Sequence, residues 1–197
     1  MIIGLVGPSL SGKDFFIKTI LELAGNRHIA VVNTGKLLKQ TLNLWGIPDT
    51  RKNYSKLPEA MCTAYGDDVF SNVISCEVEK LMDAHDVVIV NALRLLPDLF
   101  MIQRFYPSII VAITTDSEVC FQRAKERQEK IGEGFQTFEE FLEEQQAYTE
   151  RDIKTISQYS VVPPLANNGT REEFHAKIVQ VYRQNIERFL ERVPVRL

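Results

Sequence analysis

Gly7-Pro8-Ser9-Leu10-Ser11-Gly12-Lys13-Asp14 decides how the rest of this chain is read. The stretch follows a short apolar run, Ile2 to Val6, and opens a segment with helical spacing through Phe16, Ile20 and Leu23. Its first seven residues match GxxxxGK, the start of the Walker A pattern. Glycines let the backbone curl so that several N–H groups point at one phosphate. The following helix adds the positive end of its dipole. Lys13 brings a full charge to the β- and γ-phosphates, where charge shifts during phosphoryl transfer.

Working outward, further β-branched runs lie at Ile29 to Val32, Val87 to Val90 and Ile109 to Ile113, and a poorer one at Ser160 to Leu165, weakened by Pro163 and Pro164. Helical patterns alternate with them: Leu37 to Leu44, Pro58 to Tyr65, Val69 to Met82, Pro97 to Phe105 and Ser117 to about Gln128. Thr137 with Glu140 is a capping box that predicts one long helix to about Ser157. Thr170 with Glu173 is a second, opening a final helix that ends near Arg192. This order predicts βαβ crossovers and an α/β fold with three α/β/α layers.

The 197 residues suit one well-cored domain, spanning 1–197. A net charge of -3 gives no general attraction to nucleic acid or to an anionic membrane. No apolar run approaches the ~20 residues that span a bilayer. Cys62, Cys76 and Cys120 lack CxxC spacing and read as reduced thiols, and the N-terminus reads as a strand, not a signal peptide. The expected location is therefore cytoplasmic. His28, His85 and His175 have no metal spacing.

The loop departs from Walker A at one position. Asp14 stands where Ser or Thr would ligate Mg²⁺. A carboxylate is a hard oxygen ligand, so Asp14 reads as a metal partner, with Ser11 as a second oxygen donor, or as a plain helix cap.

The segment GPSLSGKDF, Gly7 to Phe15, resembles the phosphate loops of phage deoxynucleoside monophosphate kinases and animal phosphomevalonate kinases. Tyr65-Gly66-Asp67-Asp68-Val69-Phe70, Val87 to Arg94 and Phe121 to Arg127 are similar to archaeal and bacterial dephospho-CoA-kinase-like and nucleotide-kinase-like proteins. The resemblance spans nearly the whole chain, with specificity concentrated in the phosphate loop. It implies a P-loop NTPase fold with a five-stranded parallel sheet, a helical acceptor-binding part at about 34–83 and a lid at about 123–150. It also implies ATP and Mg²⁺ as cofactors and a small-molecule phosphate acceptor as partner.

Residue by residue, the family's third strand ends in a DG-hydrophobic-Arg pattern, which here reads Asn91-Ala92-Leu93-Arg94. Arg94 would grip a phosphate, since a guanidinium offers a planar fork of donors. Asn91 replaces the expected Asp, and Asp14 is the candidate to supply the missing carboxylate. Arg123 and Arg127 match the basic start of the lid and share a helix face. They read as phosphate clamps or as a solvated helix end. Gly132 and Gly134 suit a lid hinge.

Gly7, Ser9, Leu10, Ser11, Gly12, Lys13, Asp14 and Arg123 are thus the expected nucleotide contacts. Asn167, in Asn167-Asn168-Gly169, either reads the base edge or forms a turn. Thr34 and Lys36 are acceptor-side candidates, with a Thr34 N-cap as the alternative. Arg51, with Lys52 and Tyr54, reads as lying in a polar loop, suited to an anionic acceptor or simply solvated. Asp67 and Asp68 read as caps for the helix from Val69 or as partners for sugar hydroxyls, and Trp45 reads as packing. The Glu- and Gln-rich stretch 137–157 reads as a solvated cover or a homodimer surface. The expected activity is a kinase acting on a (deoxy)nucleoside monophosphate or similar phosphometabolite, with Lys13, Asp14, Arg94, Arg123 and Arg127 in the transfer. Alternatives are a dephospho-CoA-kinase-like enzyme with Asp14 as base, and an ATP-binding sensor without efficient transfer.

Overall fold

The computed structural model describes residues 1–127 and 137–193, with the side chains of Arg51 and Arg127 set aside. Five parallel strands form one sheet in the order β2-β3-β1-β4-β5. They are β1 (Ile2–Val6), β2 (Ile29–Asn33), β3 (Val87–Leu93), β4 (Ser108–Thr114) and β5 (Leu165–Ala166). β1 and β3 are buried along their whole length. That is why they read as unbroken apolar runs without alternation.

Helices cover both faces. On one, α1 (Lys13–Ala24) packs with α9 (Arg171–Val181), a π-helical continuation (Tyr182–Glu187) and α10 (Arg188–Leu190) against Ile3, Leu5, Ile89 and Val111. Arg27 closes this layer by donating to the carbonyls of Leu190 and Val193. On the other, α4 (Val69–Met82), α5 (Leu96–Gln103) and α8 (Ile153–Ser157) cover Ile2, Val6, Val88, Val90 and Ile110. A small third cluster joins α6 (Ser117–Arg127) to α7 (Phe138–Glu144) through Phe121, Ala124 and Phe141.

Three sequence expectations are corrected. The fifth strand is Leu165–Ala166, after the two prolines rather than through them, because a Pro cannot donate to the ladder. The polar stretch at Arg51 is not a loop. It opens α3 (Arg51–Tyr65), capped by Thr50, whose hydroxyl accepts from the Asn53 N–H. Pro58, which resembled a first helical residue, sits inside that helix. Finally, 137–157 is not one helix. It breaks into α7, a single 3₁₀ turn (Tyr148–Glu150) and α8. Unbroken, it would run straight for about 30 Å. The break lets Phe141 bury against α6 while Ile153 and Ile156 turn back onto the sheet.

α2 (Thr34–Leu44), α3 and α4 all lie between β2 and β3 in the chain. Trp45, expected to pack, is 61% exposed at the end of α2. Both capping boxes form as expected, at Thr137/Glu140 and Thr170/Glu173. Among the described residues, no helix is long and apolar enough to cross a membrane.

Candidate functional site

In a parallel sheet the crevice beyond the carboxyl ends of the strands is where ligands collect. Here those ends deliver the phosphate loop from β1, Asn33 and Thr34 from β2, Asn91 to Arg94 from β3, Thr115 from β4 and Asn167 from β5.

The loop's shape depends on its glycines. Gly7 and Gly12 have φ of 155° and 101°. A Cβ on Gly7 would lie 2.3 Å from the Ile113 carbonyl oxygen, and one on Gly12 2.4 Å from Asn167 Nδ2. Side chains brace the loop from outside. Asn167 Nδ2 donates to the Ser11 carbonyl (2.8 Å), as does the Thr115 hydroxyl (3.3 Å). Arg123 donates to the carbonyls of Leu10 (3.1 Å) and Asn167 (3.0 Å). Leu10 itself takes a left-handed φ of 65° at the loop's tip.

The side chain of Asn167 is buried, with its amide nitrogen committed to the loop backbone. Arg123 likewise holds two carbonyls in this structure and acts as a brace. Ser11 is fully buried, and its hydroxyl accepts from Lys13 Nζ at 3.4 Å. Thr34 is not the N-cap. Asn33 is, its side chain accepting from the Lys36 N–H. The Thr34 hydroxyl instead accepts from Ala92 N (3.1 Å) and donates to the Asn91 carbonyl (3.2 Å), fixing the end of β3. Asp68 makes no side-chain cap bond to α4, and Asp67 turns to Tyr148 and Arg151.

Lys13 is buried, with its ammonium donating to the carbonyls of Gly7 (2.9 Å) and Pro8 (2.7 Å). Burial, and next the Arg94 guanidinium, pull its pKa down to about 7. A charge held so reluctantly is poised to gain from an incoming anion. At β3 the register slips by one residue, Leu5 facing Asn91 but Val6 facing Leu93, and the bulge aims Asn91 Nδ2 at Asp14 Oδ1, 3.0 Å away. The two departures from the expected pattern therefore meet each other.

Arg94 is placed by Asp98, whose carboxylate accepts from the backbone N–H groups of Arg94 (2.8 Å) and Leu95 (3.0 Å). Its guanidinium pairs with Glu150 at 2.5 Å. Glu150 was not foreseen. No sequence signal marked it, because its segment read as a continuous solvated helix. Ser9, Lys13, Asp14, Lys36, Arg94 and Glu150 line one cavity of about 800 Å³, within the range of small-molecule sites. Lys36 is exposed at its rim. Arg51 begins α3 and Arg127 ends α6, but their side chains, like Gly132 and Gly134, lie outside the described residues.

No family model matches the chain. It is 24% identical over 184 residues to UPF0200 protein TK1334 of Thermococcus kodakarensis, covering 90% of this chain and 94% of that protein. It is 22% identical over 200 residues to a UPF0200 protein of Thermococcus sibiricus, covering 100% and 97%. Among solved structures, shikimate kinase from Acinetobacter baumannii in complex with shikimate aligns with a TM-score of 0.53 at 17% identity, over 94% of each chain. TT1252 from Thermus thermophilus aligns with a TM-score of 0.55 at 17% identity, over 94% and 97%. This is a P-loop kinase fold. Within it, Lys13 and the loop sit at the centre of the sheet, and Arg94 faces them from β3, the neighbouring strand.

A divalent cation fits one part of this site. Among the described residues no three His, Cys, Asp or Glu side chains form a cage. Mg²⁺ needs none, since it keeps several waters and binds one or two protein oxygens with the phosphates. Asp14, with its carboxylate steered by Asn91 at the head of α1, would supply such an oxygen.

Proposed function

We propose that this protein is an ATP-dependent small-molecule kinase that transfers the γ-phosphoryl group to a (deoxy)nucleoside monophosphate or similar phosphometabolite. The observation that carries the reading is Lys13: a desolvated ammonium inside a curled loop at a helix N-terminus, facing Arg94 across the cavity. Phosphoryl transfer asks little covalent chemistry of the protein. It asks for positioning and for charge placed where the transition state develops it. The loop from Gly7 to Lys13 cradles the phosphates, Lys13 and Arg94 neutralise the transferring group, and Asp14 holds Mg²⁺ with Asn91 orienting it. Mg²⁺ held there would supply positive charge against the negative charge that develops on the transferring group. Arg123 keeps the loop in shape, and Lys36, with Arg51 and Arg127, serves the outer phosphates. Thr34 acts through the end of β3. An 800 Å³ cavity that extends to α2 and α3 gives the acceptor its place.

Asn91 in place of an acid favours a second reading, an ATP-binding sensor with slow transfer. One screen separates the two: ADP release from Mg-ATP with nucleoside monophosphates, dephospho-CoA, shikimate and other phosphometabolites. Turnover raised by a single acceptor class establishes the kinase and its substrate. ATP binding with no acceptor stimulation establishes the sensor. Substituting Asp14→Ala, which removes the oxygen altogether, should raise the Mg²⁺ concentration needed for half-maximal turnover by about tenfold. An unchanged requirement removes Asp14 from the metal site.

A further inference from the structure

Residues 148–152 form a short strap with a different partner on each side. Outward, the Tyr148 hydroxyl donates to Asp67 Oδ1 (2.9 Å) and Arg151 Nη2 reaches Asp67 Oδ2 (3.3 Å). The Arg151 guanidinium also lies over the Tyr148 ring, 4.3 Å from its centre. Asp67 sits in the turn joining α3 to α4, so this clasp ties the strap to the acceptor-side helices. Inward, Glu150 pairs with Arg94, and Asp152 Oδ2 accepts from the Leu96 N–H (2.9 Å). The two sides differ in depth. The side chains of Glu150 and Arg94 are 10% and 23% exposed, whereas those of Asp67 and Arg151 are 60% and 40% exposed.

We propose that Glu150 is a positioning residue that stands in for a phosphoryl oxygen at Arg94, and that the acceptor's arrival beside the strap withdraws it. This rests on the kinase reading given above. A guanidinium does not lose its proton, so a partly buried Arg94 needs an anion in its fork at all times. Glu150 supplies that anion until phosphate does. A phosphate entering the fork must displace a carboxylate held by a charge-assisted bond, which lowers nucleotide affinity and withholds Arg94 from attack by water. The outer clasp is exposed and weak, so it yields readily when the acceptor rearranges α3, α4 and the strap. Thr149, between the two anchors, lines the same cavity, so an acceptor there touches the strap directly.

The test uses the full chain and two anion probes, Mg-ATP and inorganic tripolyphosphate, with binding read by calorimetry. E150Q keeps the side chain's shape and removes its charge. It should bind both probes about tenfold more tightly and release ADP without acceptor about tenfold faster. A merely structural Glu150 would move affinity the other way, since a disordered Arg94 binds anions less well. Asp67→Asn with Tyr148→Phe, on the exposed side, should give a smaller gain in the same direction. Should neither variant tighten either probe, the stand-in role is wrong. Should wild type show no ATP affinity that Lys13→Ala abolishes, the kinase reading fails. Tighter tripolyphosphate binding by E150Q would still uphold the role of Glu150.

Discussion

The loop Gly7–Lys13 and the segment 137–157 both face the same cavity, yet they are built on opposite principles. The loop is shaped by its own residues. Two glycines at positive φ, a lysine folded back on its own carbonyls and a helix head dictate one geometry. The segment 137–157 has helical spacing throughout and a capping box at its start, but its neighbours overrule it. Phe141 is claimed by α6, Ile156 by the sheet and Glu150 by Arg94. Motif chemistry is local and transfers from one protein to another. Contacts that cut a helix in three are long-range and belong to this fold alone.

Removing charge from the loop should produce the largest effect. Lys13→Ala should lower acceptor-dependent turnover by about 10³-fold, worth ~4 kcal/mol of transition-state stabilisation. Its fold should not weaken correspondingly, because the ammonium is desolvated in the folded state. Steady-state kinetics with a thermal melt checks both. A variant that loses turnover only by unfolding would show that the loop, like the strap, depends on its surroundings.

The matching perturbation of the strap acts on stability. Arg94→Ala leaves Glu150 without its cation, which should cost about 2–4 kcal/mol, below the full buried-pair penalty because Arg94 retains some exposure. Adding Glu150→Ala should restore most of it. A double-mutant cycle by denaturant unfolding measures the coupling. Additive losses would mean that the pair does not fold the strap against β3.

This contrast also explains what could be read beforehand. β1, β3 and β4 were legible because strands buried on both faces leave unbroken apolar runs. Lys13, Asp14 and Arg94 were legible because each belongs to a motif. β5 was displaced because two residues pairing at a sheet edge carry almost no periodic signal. Arg123 and Asn167 were found as residues, but their bonds to the loop backbone were not. An arginine near phosphates looks the same in sequence whether it grips the ligand or the loop. Glu150 was invisible, since its meaning lies in a contact 56 residues away in the chain.

The pH dependence separates the regions again. In the folded protein Lys13 titrates near 7, well below its ordinary 10.5. The folded state therefore binds fewer protons than the unfolded one between those values. Its desolvation penalty is complete below pH 7 and disappears as pH rises to 10.5. Binding runs the other way. An anionic phosphate favours the charged lysine, so binding takes up a proton above pH 7. Above pH 8 the phosphate's own second ionisation, near 6, is complete. Affinity there should fall by up to tenfold per pH unit. Calorimetry in buffers of different ionisation enthalpy reads the proton uptake directly, and Lys13→Ala should abolish it. A flat profile would place the loop lysine in water and leave Arg94 as the main cation of the site.

The smallest effects sort bracing from capping. Asn167→Ala removes the buried donor to the Ser11 carbonyl and should cost about 1–2 kcal/mol. Because that carbonyl belongs to the loop, nucleotide affinity should fall as well. Thr137→Ala removes the cap of α7 and should cost about 1 kcal/mol. Among the described residues its hydroxyl serves the N–H of Glu140, so nucleotide affinity should hold. Equal losses of affinity from both would mean that α7 and the strap transmit strain to the loop. The division between a locally specified loop and a neighbour-specified strap would then have to be given up. Loss from Asn167→Ala alone keeps that division, and places the boundary between the regions at the strands' carboxyl edge.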